Sequence, residues 1–176
     1  MLISCSEKKG FRVWNEINSD HIVKVVTSNS AATYYQSKEN EIEGFEFDLA
    51  TRFARDHNLK IEFIIKDSVE EVLEALNSGE ADIAAAGLTI TDQRLKHFSF
   101  AQAYLESNQI ITCKFNAKVK DLKDLENLYY FIPQNTSYEE NFSALKKTKL
   151  PNLSWIRVEG ASSEEILHKV LSLIHI

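Results

Sequence analysis

The stretch Asp82-Ile83-Ala84-Ala85-Ala86-Gly87-Leu88-Thr89-Ile90-Thr91-Asp92-Gln93-Arg94 decides the fold. Its first half is a run of small and apolar residues without a polar gap, which is typical of a strand buried on both faces of a parallel sheet. The run breaks at Gly87 into a polar turn. Thr91 followed by Asp92 then predicts a helix start, with a hydroxyl cap and an acid in the first turn.

Three polar groups follow the end of this predicted strand. They are the backbone exposed at Gly87, the hydroxyl of Thr89 and the guanidinium of Arg94. Ligands of open α/β sheets bind at the carboxyl ends of the strands, and the guanidinium fork binds both oxygens of a carboxylate at once. The pattern therefore indicates a site for a small carboxylate. On spacing alone, a strand–turn–helix unit with a surface arginine stays open as the alternative.

Strands and helices alternate along the chain before this stretch. Apolar, β-branched runs predict strands at 21–27 and 60–66. Apolar residues at helical spacing predict helices at 44–58 and 68–78. We expect the inner stripe of the first helix to contain Phe45, Leu49, Phe53 and Ala54. Ser68 with Glu71 is expected to form a capping box on the second helix. Strand, helix, strand, helix, strand predicts an α/β fold with a parallel sheet and right-handed crossovers.

The segment from Gly87 to Arg94 resembles the G/S-x-S/T-I-T-x-x-R signature of the type 2 periplasmic solute-binding proteins, polar amino-acid group. Gly44-Phe45-Glu46-Phe47-Asp48-Leu49 matches the G-F-x-x-D-L motif of the same family. The resemblance implies a periplasmic-binding-protein type 2 fold, with two lobes that have parallel-sheet cores. It also implies that the Gly87 backbone, Thr89 and Arg94 hold the α-carboxylate of a ligand in the cleft between the lobes.

A second turn, Gln134-Asn135-Thr136-Ser137, precedes a predicted helix at 138–147. Hydroxyls at a helix N-terminus suit an anion, and the family's equivalent turn contacts the same carboxylate, so the resemblance adds Thr136 and Ser137 to the site. Asn135 replaces the family's glycine, and asparagine tolerates a left-handed backbone. The alternative is that the hydroxyls only cap the helix.

The loop after the first strand contains Tyr34 and Tyr35. The family often uses aromatic residues of this loop to cover an apolar part of the ligand, which makes both tyrosines candidate ligand contacts. Packing of the tyrosines on the edge of the sheet is the alternative.

The resemblance also suggests how the chain divides. We expect an N-terminal tether at 1–20, a first lobe at 21–106, a partial second lobe at 107–170 and a non-native tail at 171–176. A strand at 109–114 is expected to carry the chain into the second lobe. The chain stops before the glycine turn and acidic strand that come next in the family, so the second lobe is expected to be incomplete.

Dispersed matches narrow the resemblance. Pro151-Asn152-Leu153-Ser154-Trp155 and Ser163-Glu164-Glu165-Ile166-Leu167 are similar to the solute-binding-like domain of the membrane-bound lytic murein transglycosylase F family. This implies a sensor of an amino acid or muropeptide fragment that regulates a lytic domain, with peptidoglycan as a partner through a missing C-terminal domain. Two alternatives stay open: the substrate-binding subunit of an amino-acid ABC transporter, and an enzyme like cyclohexadienyl dehydratase.

The net charge and the missing catalytic motifs of the 176 residues argue against nucleic-acid binding, binding to an anionic membrane surface and several classes of enzyme. The net charge of −6 does not favour nucleic acid or an anionic membrane surface as a partner. The sequence lacks a nucleophile elbow, a Walker loop, an HExxH motif and a CxxC motif. We therefore predict no catalytic residue, metal or cofactor in this chain.

Leu2-Ile3-Ser4-Cys5 resembles a bacterial lipobox, in which Cys5 would carry a lipid. The protein would then be periplasmic and attached to a membrane by the lipid alone. Ser6, directly after the cysteine, favours the outer membrane as that membrane. The segment before Cys5 is too short for a signal peptide, so either that peptide is lost upstream or the match is chance. Cys113 lies in an apolar run and is expected to be an inert core thiol.

Overall fold

A computed structural model describes residues 12–112, 119–161 and 165–168. The chain divides into two compact units, Met1–Leu88 and Thr89–Ile176. Each unit has its own parallel sheet and its own core. The lobe boundary expected between residues 106 and 107 stays a prediction. Cys5, Cys113 and the tail at 171–176 lie outside the described residues.

The first unit is built around a parallel sheet in the order β4-β1-β5. Its helices and strands are α1 Trp14–Asp20, β1 Ile22–Ser28, β2 Tyr35–Gln36, β3 Ile42–Glu43, α2 Phe45–Asp56, β4 Lys60–Lys66, α3 Val69–Ser78 and β5 Ile83–Ala84. Strands β1 and β4 pair in parallel along their whole length. The predicted α/β organisation of this segment is confirmed.

Strand β1 is the centre of this unit because it is covered on both faces. Val23 and Val25 pack on one side with Ile17 and Ala54. Val26 points to the other side, where it packs with residues of α3 and of the segment before β5, namely Val72, Ala75 and Ala81. Each fully buried aliphatic side chain of this kind contributes roughly 1.5–3 kcal/mol.

Helix α3 has the predicted boundaries and caps. The Ser68 hydroxyl accepts a hydrogen bond from the Glu71 amide at 3.2 Å, and the Glu71 carboxylate accepts one from the Ser68 amide. Gly79 ends the helix in the left-handed conformation, with φ of 78°. The capping box and the glycine stop are therefore confirmed.

The inner face of α2 differs from the prediction. Phe45 and Leu49 are 55% and 50% exposed, so their assignment to the inner stripe is wrong. Phe53 and Ala54, which the same pattern assigns to this face, do lie on it, together with Ala50 and the buried Glu46. A buried carboxylate is tolerated there because Glu46 accepts a hydrogen bond from a backbone amide in the same unit.

Strand β5 is shorter and less buried than predicted. Only Ile83 and Ala84 are in strand conformation, and residues 82–86 are half-buried. In the part of the chain that the structure describes, β5 pairs with β1 alone. It lies at the edge of this sheet, but its residues pack against the cores on both faces, Ile83 and Ala85 on one and Ala84 and Ala86 on the other. The prediction of a strand covered on both faces holds, although its residues are only half-buried.

Residues 14–20 form helix α1, so the predicted tether at 1–20 is wrong for this segment. Ile17 is buried, and the Trp14 ring lies 5.1 Å from the His57 ring. Arg12 forms a salt bridge at 3.1 Å with Asp82, just before β5. This short helix has only one buried residue. A helical period needs several apolar residues on one face, so no such signal is present in the sequence here.

The second unit has a smaller parallel sheet of two strands. Its elements are 3₁₀ turns at Arg94–Lys96 and Leu122–Asn127, β6 Phe131–Pro133, α4 Ser137–Thr148 and β7 Ile156–Val158. Strands β6 and β7 pair in parallel. The core beneath them contains the buried residues Tyr130, Ile132, Leu150 and Leu153.

Two predicted elements of this unit are different in the structure. The helix expected after Thr91 is a single 3₁₀ turn. The strand expected at 109–114 is absent from residues 109–112, and Ile110 is 81% exposed. Apolar β-branched residues favoured a strand, but such a preference needs a neighbouring strand to pair with. None of the described helices is long and apolar enough to cross a bilayer.

Candidate ligand site

Arg94 is the centre of a polar cluster in the second unit and is only 6% exposed. Its Nη1 donates to the carbonyl of Thr89 at 3.0 Å, and its Nη2 donates to the carbonyl of Asn135 at 3.3 Å. The Thr91 hydroxyl accepts from the Arg94 amide at 3.2 Å. Two carbonyls therefore hold this guanidinium in place, and the Thr91 hydroxyl fixes the backbone of Arg94.

The Nε atom of Arg94 is buried and has no hydrogen-bond partner among the described residues. The nearest acid is Glu140, whose Oε1 lies 4.0 Å from Nε, which is too long for a hydrogen bond. Burial lowers the pKa of Arg94, and the charge of Glu140 opposes that shift. An arginine stays protonated at neutral pH, so this cationic donor has no acceptor in the part of the chain that the structure describes.

Two hydroxyls lie together in the same cluster. The hydroxyl of Ser137 donates to Thr89 Oγ1 at 3.3 Å and accepts from Gln109 Nε2 at 3.0 Å. Ser137 is buried and Thr89 is exposed. Of the predicted residues in this unit, the structure thus brings Thr89, Arg94 and Ser137 together.

The turn before α4 has the predicted left-handed residue. Asn135 has a φ of 57°, and its carbonyl is the one that accepts from Arg94. The hydroxyl of Thr136 donates back to Pro133 O at 2.8 Å and makes no capping bond to the helix. Thr136 is therefore used inside its own turn.

Glu139 fixes this turn from the first turn of α4. Its carboxylate accepts from the Asn135 amide at 3.2 Å, from Trp155 Nε1 at 3.2 Å and from Arg157 Nε. Burial by itself raises the pKa of Glu139. The hydrogen bonds from Trp155, Asn135 and Arg157, together with the charge of Arg157, outweigh burial and leave this pKa below its usual value.

Gly87 belongs to the first unit, and its amide is already bonded there. It donates to Glu46 Oε2 at 2.6 Å, and Gly87 itself has a φ of 62°. Glu46 is 7% exposed and follows the start of α2. The backbone group predicted to hold a ligand carboxylate thus holds a carboxylate of the protein itself.

The two candidate tyrosines also have partners in the first unit. The Tyr34 ring lies 5.7 Å from the ring of Phe47 and 5.5 Å from that of Phe63. The Tyr35 hydroxyl donates to Glu43 at 2.6 Å, and this hydrogen bond raises the pKa of Tyr35. These contacts favour packing on the sheet edge, and a ligand role for either tyrosine stays a prediction.

Sequence reasoning missed four side chains around these groups. They are Glu46, Gln109, Glu139 and Glu140. Glu46 lies inside the G-F-x-x-D-L motif, which was a usable signal, whereas acids in the first turn of a helix such as α4 are common for electrostatic reasons alone. Among the described residues, no group of three or more His, Cys, Asp or Glu is placed to hold a metal ion.

Comparison with known proteins identifies the family. The model of the bacterial extracellular solute-binding proteins, family 3, matches residues 23–165. This chain belongs to that family. Together with the membrane-bound relatives below, the family's extracellular description favours a location in the bacterial envelope.

The curated relatives of the chain include membrane-bound lytic murein transglycosylases F. The protein from Methylobacillus flagellatus is 34% identical over 152 residues, which is 83% of this chain and 32% of that protein. Transglycosylase F 1 from Alkalilimnicola ehrlichii is 32% identical over 149 residues, which is 84% of this chain and 30% of that protein. The chain thus spans about a third of the length of these relatives.

Solved structures confirm the predicted fold. An ancestral amino acid-binding protein, described as a precursor of cyclohexadienyl dehydratase, superimposes with a TM-score of 0.72 at 25% identity, over 90% of this chain and 69% of that one. The arginine-bound form of a truncated ArgBP from T. maritima gives a TM-score of 0.72 at 20% identity, over 90% of this chain and 72% of that one, and so shows the fold alone. The chain has the type 2 periplasmic-binding-protein fold, with mixed α/β structure and parallel sheets.

Proposed function

We propose that this chain is an extracytoplasmic solute-binding domain that captures a small carboxylate, either an amino acid or a muropeptide fragment. One observation carries the proposal. Arg94 is buried, has two of its nitrogens fixed by backbone carbonyls, and has its Nε without an acceptor among the described residues. The paired hydroxyls of Thr89 and Ser137 belong to the same cluster.

A carboxylate supplies what this cluster lacks. Carbonyls bind N–H groups but do not neutralise the charge of the guanidinium, and Glu140 is too distant for a hydrogen bond. Leaving a buried donor unpaired costs about 1–3 kcal/mol. A hydrogen bond between ions of opposite charge is roughly twice as strong as a neutral one. A carboxylate that displaces the Glu140 side chain from its place beside Nε would gain both contributions.

We infer that the domain is the regulatory part of a longer lytic transglycosylase. The named relatives are such enzymes, and the chain corresponds to about a third of their length. In that protein, peptidoglycan would be bound by another domain, and lipidation at Cys5 would attach the protein to the outer membrane. The genes and reading frame around the coding sequence test this inference, because a lysozyme-like domain downstream is expected.

A transporter subunit is the second candidate, favoured by the solved structures. An ancestral arginine-binding protein bound to arginine gives a TM-score of 0.71 at 25% identity, over 86% of this chain and 66% of that one. A free-standing amino-acid receptor would have a permease gene beside it, which separates this candidate from the first.

Ligand-induced stabilisation tests the binding function. A panel of L-arginine, L-glutamine and a soluble muropeptide is added to the wild-type chain and to Arg94→Ala, and the melting temperature is measured. A ligand at 100 times its Kd stabilises by about 2.7 kcal/mol, which amounts to several degrees. We expect at least one compound to raise the melting temperature of the wild type and none to raise that of Arg94→Ala.

Arg52→Ala is the matched control. Arg52 is an exposed arginine of α2 that pairs only with Asp56 among the described residues, at 3.7 Å, so this variant is expected to respond as the wild type does. Equal stabilisation of wild type and Arg94→Ala would contradict the proposed role of Arg94.

A further inference from the structure

Four polar side chains of the second unit form a continuous chain of hydrogen bonds. Asn141 Nδ2 donates to Gln109 Oε1 at 2.7 Å. Gln109 Nε2 donates to Ser137 Oγ at 3.0 Å, and Ser137 Oγ donates to Thr89 Oγ1 at 3.3 Å. The chain begins with an exposed amide and ends at the hydroxyl of the candidate site.

The orientation of the Gln109 amide sets the direction of the bonds on either side of it. An amide oxygen only accepts and an amide nitrogen only donates, while a serine hydroxyl has a single proton. Asn141 binds the oxygen of Gln109, so the nitrogen of Gln109 points towards Ser137. Ser137 accepts from Gln109 and donates its own proton to Thr89. The proton of Thr89 then has no acceptor in this chain of bonds.

We propose that Gln109 is a positioning residue that keeps the Thr89 hydroxyl as a donor for a ligand anion. This proposal rests on the proposed function and refines it. It gives the site two donors for one carboxylate, Arg94 Nε and the hydroxyl of Thr89, with Gln109 acting through Ser137. Gln109 itself does not contact the ligand in this account.

The variant Gln109→Glu reverses the chain of bonds with almost no change in shape. A carboxylate at position 109 can only accept, so Ser137 donates to it and the oxygen of Ser137 accepts the proton of Thr89. The site then loses a donor. With L-arginine as the probe in isothermal titration, we expect affinity to fall roughly three- to tenfold, the usual value of one hydrogen bond.

A double-mutant cycle separates this effect from simple charge repulsion. In the Ser137→Ala background the reversal cannot be transmitted, so Gln109→Glu is expected to change affinity less than about twofold. Repulsion between the new carboxylate and the ligand would cost the same factor in both backgrounds, and that result would overturn the proposal. Gln102→Glu is the charge-matched control on the same exposed segment, and its affinity is expected to equal that of the wild type.

The proposal and the proposed function fail in different ways. If Arg94→Ala binds L-arginine as the wild type does, the proposed function fails. If Arg94→Ala loses binding while Gln109→Glu keeps it, only the role of Gln109 fails.

If L-arginine does not bind, the role of Gln109 is tested by a measurement on the free protein. In NMR spectra of the free protein, the side-chain NH₂ signals of Gln109 are expected to move in Ser137→Ala and to stay in place in the control variant Ser143→Ala. Unmoved Gln109 signals in Ser137→Ala would overturn the proposal.

Discussion

Both units hold an acidic side chain of a helix against the amide of a left-handed residue, but they do so with different consequences. In the first unit Glu46 accepts from the amide of Gly87 at 2.6 Å. In the second unit Glu139 accepts from the amide of Asn135 at 3.2 Å. Both acids are 7% exposed, so each is a buried anchor of a turn.

The units differ in what remains unbonded. The carboxylate of Glu46 occupies the Gly87 amide of the first unit, and its sheet has a central strand that is buried on both faces. In the second unit the anchored turn presents the Asn135 carbonyl to Arg94, whose Nε keeps no acceptor among the described residues. We infer that the first unit mainly provides stability and that the second provides the groups of the proposed ligand site.

The largest expected effect is that of Gly44→Ala in the first unit. Gly44 has a φ of 145°, and a Cβ atom there would lie 2.3 Å from the carbonyl oxygen of Thr33. Backbone strain alone costs about 1–3 kcal/mol, and the clash adds to it, so we expect a loss of at least about 3 kcal/mol in urea unfolding.

Gly160→Ala is the matched control for this substitution in the second unit. Gly160 has a φ of 60°, and apart from its two neighbours in the chain no described residue has an atom within 4 Å of the position of its Cβ. Only backbone strain remains, about 1 kcal/mol. Similar losses of unfolding free energy in the two variants would mean that the contact with Thr33 adds no cost at Gly44, and would contradict the prediction.

A smaller effect is expected from Glu46→Ala. The substitution leaves the Gly87 amide without its carboxylate, and the loss of such a buried bond costs about 1–2 kcal/mol. Urea unfolding measures it, with Glu39→Ala as the control because Glu39 is exposed. A neutral result for Glu46→Ala would show that water replaces this carboxylate without cost.

The smallest effect is that of Glu139→Gln, and it depends on pH. The pKa of Glu139 is lowered in the folded state, so its contribution to stability is present above the ordinary glutamate value of about 4.3 and is lost as pH falls through the lower folded value. At pH 7 we expect the variant to melt on the order of 4 °C below the wild type, the shift for about 1 kcal/mol.

The difference between wild type and Glu139→Gln should shrink as pH falls from 5 towards 3, on the scale set by the ordinary glutamate pKa. Glu159→Gln, at an exposed position, is the control. A difference that stays constant over this pH range would show that the charge of Glu139 does not hold the turn.

The sequence predicted elements whose signals are local. The strand at 60–66 and the helix ended by Gly79 follow from residue patterns and caps within one element. The left-handed Asn135 also follows from a preference of that residue type. The two parallel sheets follow from the alternation of strands and helices.

Features set by partners distant in sequence could not be predicted. Gln109 donates to Ser137, which lies 28 positions away in the sequence. The residue type alone does not predict such a hydrogen bond. The inner face of α2 is centred on Glu46 because Gly87, 41 positions on, satisfies its carboxylate. A hydrophobic pattern finds Phe53 and Ala54 on that face but adds the exposed Phe45 and Leu49 and omits Glu46. The site therefore depends on long-range polar contacts that pattern analysis does not contain.

The Nε–H signal of Arg94 gives the most direct test of the central claim, that this buried guanidinium receives the carboxylate of a ligand. In the ¹⁵N-labelled protein this signal is assigned by its loss in Arg94→Lys and is followed during titration with L-arginine and L-glutamine. We predict that the signal moves downfield and exchanges more slowly with water as the site fills. Saturation of binding with an unmoved Arg94 Nε–H signal would contradict the account.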